Sequence, residues 1–207
     1  MPAKYVRRNL RENSYYHIYN RGLVNQDIFL DEQDHKIFLF YLYIYTSSLK
    51  EVCDRYVDLP LRLQAKNLSD DIRLVAYCLM PNHFHLLLKQ RSAKSMPRLI
   101  KQVTNGYPTY FNSKYKRVGR LMQGRYLATL VESEYLLIQM ARFVHLNPVL
   151  AGLCTNPGDY EWSSYKNPLQ PNELLHRFGS IEEWDKFHLD KEAYQQNEPK
   201  IKDLIID

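Results

Sequence analysis

The sequence predicts an α+β domain with a mainly antiparallel sheet, and three observations carry that reading. Two apolar, β-rich runs are joined by a short Met-Pro-Asn connector, stretches of helical periodicity lie on both sides of that pair, and further short β-rich runs flank the helices. In chain order the elements read strand, helix, strand, strand, helix, strand, helix, with the helices expected on one face of the sheet.

The first strand is Tyr15 to Tyr19, closed by a turn at Asn20, Arg21 and Gly22. Asp31 then caps a helix carrying Ile37, Phe38, Tyr41 and Ile44, which Ser47 and Ser48 end. Glu51 to Asp71 is polar and irregular, with partial helical character. Ile72 to Leu79 and His83 to Lys89 form a hairpin through Met80, Pro81 and Asn82. Ser95 caps a helix running to about Lys114, with Leu99, Ile100, Val103, Tyr107, Tyr110 and Phe111 at helical spacing, and Gly119 breaks it. Tyr126 to Val131 is a short strand, and Ser133 caps a last helix that is expected to end at Leu146, before Asn147 and Pro148.

With 207 residues and 45% hydrophobic content, the chain suffices for one core. The expected division is a functional domain over residues 1–155 and an acidic extension, 156–207, packed on or trailing from it. No apolar run approaches the ~18 residues needed to span a bilayer, and Met1 to Asn13 has no signal-peptide pattern, so a cytoplasmic protein with no membrane partner is expected. Cys53, Cys78 and Cys154 are odd in number and widely spaced, which suits reduced thiols. The net charge of +5 is uneven: residues 156–207 hold 6 Lys and Arg against 11 Asp and Glu, leaving 22 against 12 before them. A polyanion partner for the N-terminal part follows from that asymmetry.

His83 and His85 alternate with Phe84, so on a strand both imidazoles project from one face with roots about 7 Å apart. Two neutral imidazoles on a rigid strand can converge on a divalent ion; the plain alternative is two histidines on a sheet surface.

The block Asn82-His83-Phe84-His85-Leu86-Leu87-Leu88, preceded by Leu79-Met80-Pro81, resembles the His-hydrophobic-His motif of the single-domain HUH transposases, in particular the REP-associated tyrosine transposases and their insertion-sequence relatives. Tyr16-His17-Ile18-Tyr19-Asn20-Arg21-Gly22 resembles that family's opening strand and Gln123-Gly124-Arg125-Tyr126 its middle strand. Leu146 to Leu153 resembles the end of its catalytic helix, and Trp162-Ser163-Ser164-Tyr165 also recurs in relatives. The resemblance implies a ferredoxin-like fold, a Mg or Mn cofactor, and an endonuclease that cleaves and rejoins single-stranded or hairpin DNA in transposition. In that chemistry a tyrosine oxygen attacks phosphorus, giving a 5′-phosphotyrosyl link and a free 3′-hydroxyl.

On the last helix Leu137, Met140, Ala141 and Val144 share a core stripe, while Phe143 and Asn147, at i and i+4, stand one above the other on its flank. The resemblance assigns this pair to the nucleophilic tyrosine and to a residue completing a metal site with His83 and His85. Asn147 fits; Phe143 lacks the phenolic oxygen. An engineered Tyr-to-Phe change and a lineage that binds without cutting both explain this, the second being a DNA-hairpin-binding protein without catalysis. A relocated nucleophile is a third explanation: Tyr135 lies about 12 Å up the helix, and Tyr107, Tyr110 and Tyr115 sit on another. His145 points elsewhere and reads as a surface or supporting residue. Lys114, Lys116, Arg117, Arg120 and Arg125, interleaved with Tyr115 and Tyr126, suit DNA binding by phosphate contact and base stacking, and Arg7, Arg8 and Arg11 form a basic arm. Monomer and homodimer both remain open.

Overall fold

A computed structural model describes residues 10–169, 174 and 181–190. Four strands, β1 (Ser14–Arg21), β2 (Ile72–Met80), β3 (His83–Gln90) and β4 (Leu127–Val131), form one antiparallel sheet in the order β2-β3-β1-β4. Around them lie α1 (Glu32–Thr46), α2 (Leu49–Arg55), α3 (Leu61–Gln64), α4 (Ser95–Lys114), α5 (Glu134–Leu150) and α6 (Ile181–Leu189). This is the split βαβ arrangement of ferredoxin-like domains, as expected. Among the described residues no helix is long and apolar enough to cross a membrane, and all three cysteines are free thiols.

The helices do not share one face. Tyr16, Ile18, Tyr77, Leu79, Phe84, Leu86 and Leu88 pack with Phe38 and Leu42 of α1 and with Leu99, Val103, Tyr107 and Phe111 of α4. Ala76, Cys78, Met80 and Leu87 pack on the opposite side with Leu137, Met140, Ala141 and Val144 of α5. The expectation of a one-faced stack is corrected because strands β2 and β3 are apolar at successive positions, and a strand buried on both faces needs a cover on each.

Several boundaries also differ from the sequence reading. Met80 belongs to β2 and pairs with His83, so the hairpin turn is the two residues Pro81 and Asn82. Ser95 does not cap α4: Lys94 occupies that position without a side-chain bond, and Gln90 Oε1 accepts the Met96 N–H at 3.2 Å instead. The chain leaves α4 at Lys116, which takes a left-handed φ of 50°, before Gly119 is reached. Ser133 does cap α5, accepting from Leu136 N–H at 3.2 Å. That helix continues through Pro148 to Leu150, since proline removes one N–H while Ala151 N–H still bonds Asn147 C=O at 3.0 Å. Asn147 is therefore held inside a helical turn. Gln123-Gly124-Arg125 is loop, and the strand begins at Leu127.

The outer edge of β2 is covered by the Trp162-Ser163-Ser164 segment, where Leu79 N–H bonds Trp162 C=O and Ser164 N–H bonds Tyr77 C=O, each at 2.9 Å. In the C-terminal part, Trp184 of α6 is buried against α5. His188 Nε2 lies 3.1 Å from His145 Nδ1, and His145 Nε2 lies 2.8 Å from Ser164 Oγ. His145 is thus a core residue, not a surface one. Arg7 and Arg8, and residues 170–173, 175–180 and 191–207 of the acidic extension, lie outside the described residues.

Candidate metal and nucleic-acid site

His83 and His85 project from β3 toward α5, while Phe84 turns to Phe38 with ring centroids 4.9 Å apart. The two imidazoles meet edge to face at 5.0 Å. The turn before them is anchored by the segment that follows β1: Gly22 N–H bonds Asn82 C=O at 2.8 Å, and Ile28 and Phe29 both donate to Pro81 C=O. A Cβ at position 22 would stand 2.0 Å from Gln26 C=O, so this anchor requires glycine. Asn82 Oδ1 lies 2.6 Å from His83 Nδ1, which takes the ring proton to that side and turns Nε2 toward Asn147, whose Oδ1 is 3.5 Å away.

Phe143 sits one turn before Asn147 and is 8% exposed. Its ring meets His85 edge-on at 5.4 Å and His17 at 6.0 Å. The four positions that sequence reasoning singled out on β3 and α5 therefore stand together.

Two residues of β1 join them that the sequence reading did not single out individually. His17 is 2% exposed, lies edge to edge with His85 at a ring-centroid distance of 5.1 Å, and brings Nε2 within 2.9 Å of His85 Nδ1. Tyr19 lies opposite His85 in the β1–β3 register, with its ring 5.0 Å from His85 and 5.5 Å from His83. The signal was the alternation His17, Tyr19, Arg21 on one strand face, but which strand pairs with β3 is a long-range fact.

Burial, which disfavours charge on an imidazole, lowers the pKa of His17 and of His83 to about 4. For His83 the Asn147 hydrogen bond opposes that shift, and Arg21 adds to it. His85 is pushed well below its ordinary value by burial, then by its two histidine neighbours. All three are neutral at pH 7, the form that ligates metals. Two ligands at right angles around Mg or Mn stand about 3 Å apart, so the 3.5 Å gap between His83 Nε2 and Asn147 Oδ1 fits a shared ion. Asn147 Oδ1 stands beside His83 as a candidate third donor for such an ion.

The basic cluster divides in two. Lys114 Nζ is tied to Asp31 at 2.6 Å and Asp34 at 2.9 Å. Burial opposes its charge, but the hydrogen bonds it donates to these carboxylates raise its pKa above the ordinary lysine value. Tyr115 donates to Asp34 Oδ2 at 2.9 Å, Arg117 donates to Gln26 Oε1 at 2.8 Å across the Phe111 ring, and Tyr126 packs against the core. Lys116, Arg120 and Arg125 are exposed. The loop that carries them is pinned near the histidines: Arg21, opposite His83, donates to Gln123 Oε1 at 2.5 Å, and Asn20 Nδ2 contacts Gly124 C=O at 3.5 Å. Arg11 pairs with Glu132 at 3.0 Å.

An antiparallel ferredoxin-like sheet whose central strand points two histidines at an Asn on a covering helix defines the class: an α+β domain with a candidate divalent-metal site beside a basic loop. Residues 46–145 match the family described as transposase IS200-like, a stretch running from the end of α1 into α5, which bears out the resemblance read from the sequence blocks. Among solved structures, the chain aligns with a REP-associated tyrosine transposase bound to a REP hairpin, at 12% identity over 81% of this chain and 88% of that one, TM-score 0.48. It also aligns with a Deinococcus radiodurans R1 protein assigned as a transposase, at 19% identity over 66% and 92%, TM-score 0.37. Comparison with curated proteins returns no match.

Proposed function

We propose that this chain is a metal-dependent binder of single-stranded and hairpin DNA of the IS200-like transposase type, whose phosphotyrosine chemistry is disabled at Phe143. The observation that carries the reading is the contact of His83 Nε2 with Asn147 Oδ1 at 3.5 Å, with Phe143 one turn before Asn147 and against His85, in a chain whose residues 46–145 match a transposase family. A Mg or Mn ion held by His83, His85 and Asn147 would polarise a phosphate oxygen of bound DNA. Lys116, Arg120 and Arg125 supply phosphate contacts beside the site, and Asn82 orients His83. Phe143 fills the expected nucleophile position with a ring that cannot attack phosphorus. In this reading residues 1–155 form the DNA-binding domain, and the described part of the extension 156–207 packs on it, supported by the contacts of Trp184 and His188 with α5.

The test is incubation with DNA hairpins bearing a single-stranded 5′ extension in Mn2+, read by gel shift and by denaturing gel. The chain as it stands is expected to shift the DNA without a covalent band, and Phe143→Tyr is expected to acquire one. Absence of binding to any hairpin or single strand overturns the reading. A covalent band from the unmodified chain, mapped to Tyr19, would establish a second reading, strand transfer with a relocated nucleophile, which the contact of Tyr19 with both histidines favours.

A further inference from the structure

We infer that His17 is a positioning residue that accepts a hydrogen bond from His85 Nδ1 and thereby leaves His85 Nε2 bare to ligate an ion. The inference rests on the metal reading above. β1 and β3 pair antiparallel with His17 opposite Leu87 and Tyr19 opposite His85, so His17 and His85 are diagonal neighbours on the face turned to α5. Their rings are nearly parallel, 16° apart, with His17 Nε2 2.9 Å from His85 Nδ1. Both are almost wholly excluded from solvent.

Two neutral imidazoles in this contact share one proton between the facing nitrogens, so only two arrangements exist. If His17 donates, His85 Nδ1 is the acceptor, its own proton sits on Nε2, and that nitrogen has no lone pair to offer. If His85 donates, Nε2 carries the lone pair. Only the second arrangement leaves His85 able to act as a ligand, and the Nδ1–H that His17 accepts would become a stronger donor with an ion held at Nε2. Carboxylates and backbone carbonyls commonly serve this purpose behind metal-bound histidines. Here a third histidine does so from the neighbouring strand. The partner histidine is supported in parallel, since Asn82 Oδ1 holds His83 Nδ1 at 2.6 Å. Both members of the His-Phe-His strand thus have Nδ1 engaged and Nε2 available.

The experiment uses the full chain with Mn2+ alone as the probe in titration calorimetry, together with 15N imidazole spectra in the absence of metal and with Mg2+. His17→Phe keeps an aromatic ring against His85 but has no acceptor, and is expected to weaken Mn2+ binding about 10–100-fold. His17→Gln places an amide oxygen near the former Nε2 and is expected to stay within a few-fold of the unmodified chain. The spectra are expected to show His85 protonated at Nδ1 in the unmodified chain and in the Gln variant. Unchanged Mn2+ affinity in His17→Phe, or His85 protonated at Nε2 in the unmodified chain, overturns the assignment of His17. Should the Phe variant fail to fold, the Gln variant and the spectra still decide. His83→Ala separates the two levels: Mn2+ binding indifferent to it overturns the metal site itself, whereas binding lost in His83→Ala and retained in His17→Phe overturns the role of His17 alone.

Discussion

Asp34 is a fully buried carboxylate in the first turn of α1, and its removal tests how the base of the basic loop is held. Its oxygens accept from Leu30 N–H at 2.8 Å, Lys114 Nζ at 2.9 Å, Tyr115 OH at 2.9 Å and Tyr110 OH at 3.0 Å, so one side chain clamps the start of α1 to the end of α4. Breaking a buried ion pair by deleting one partner costs about 3–5 kcal/mol. The lower end applies here, because Lys114 keeps Asp31 at 2.6 Å and its side chain is 23% accessible, so its charge is not stranded. Asp34→Ala is therefore expected to destabilise by about 3 kcal/mol, with Leu30 N–H and two phenols left without this acceptor. Asp34→Asn keeps an acceptor oxygen and loses the charge, and about half that cost is expected. Urea unfolding followed by fluorescence reads both, as a midpoint drop of about 1 M or more for Asp34→Ala and about half that for Asp34→Asn at the m values usual for such domains. A loss below about 1 kcal/mol for Asp34→Ala would refute the argument, since the clamp would then be a geometric contact without energetic weight.

The same clamp sorts the basic residues by function. With DNA bound, the double substitution Arg120→Ala, Arg125→Ala is expected to reduce the salt slope of log affinity by about 1.4, the value for two single-strand phosphate contacts. Lys114→Ala is expected to leave the slope unchanged, and binding isotherms between low and moderate salt would expose an error in either assignment. Acid is expected to destabilise the metal-free protein. His17 and His188 have folded-state pKa values lowered to about 4 by burial, so the unfolded chain takes up their protons first and stability falls as pH drops from about 6.5 toward 4. The loss at pH 5 relative to pH 7 is about 2 kcal/mol for each group, and a denaturation midpoint that stays flat across this window would show that these rings are not held neutral.

Local chemistry made much of this protein legible from its sequence. Alternation in a strand forces His83 and His85 to one face, helical spacing aligns Phe143 with Asn147, and the Asp31 and Ser133 caps announce α1 and α5, because all of these are decided within a few residues. The absence of a phenolic oxygen at position 143 is likewise a fact of sequence. Only the tertiary structure decided the rest. The pairing of β1 with β3 brought His17 and Tyr19 to the histidines, since strand partners are chosen by the whole sheet and not by either strand's pattern. Burial on both faces of β2 and β3 sent α5 to the side opposite α1 and α4, which an apolar run cannot announce because it reads the same whichever helix covers it. Carboxylates 80 or more positions away in the sequence turned Lys114 and Tyr115 inward, while Lys116, Arg120 and Arg125 stayed exposed. A charged side chain's role depends on which opposite charge the fold brings within reach, and that distance is set by packing rather than by the residue's own neighbours in the chain.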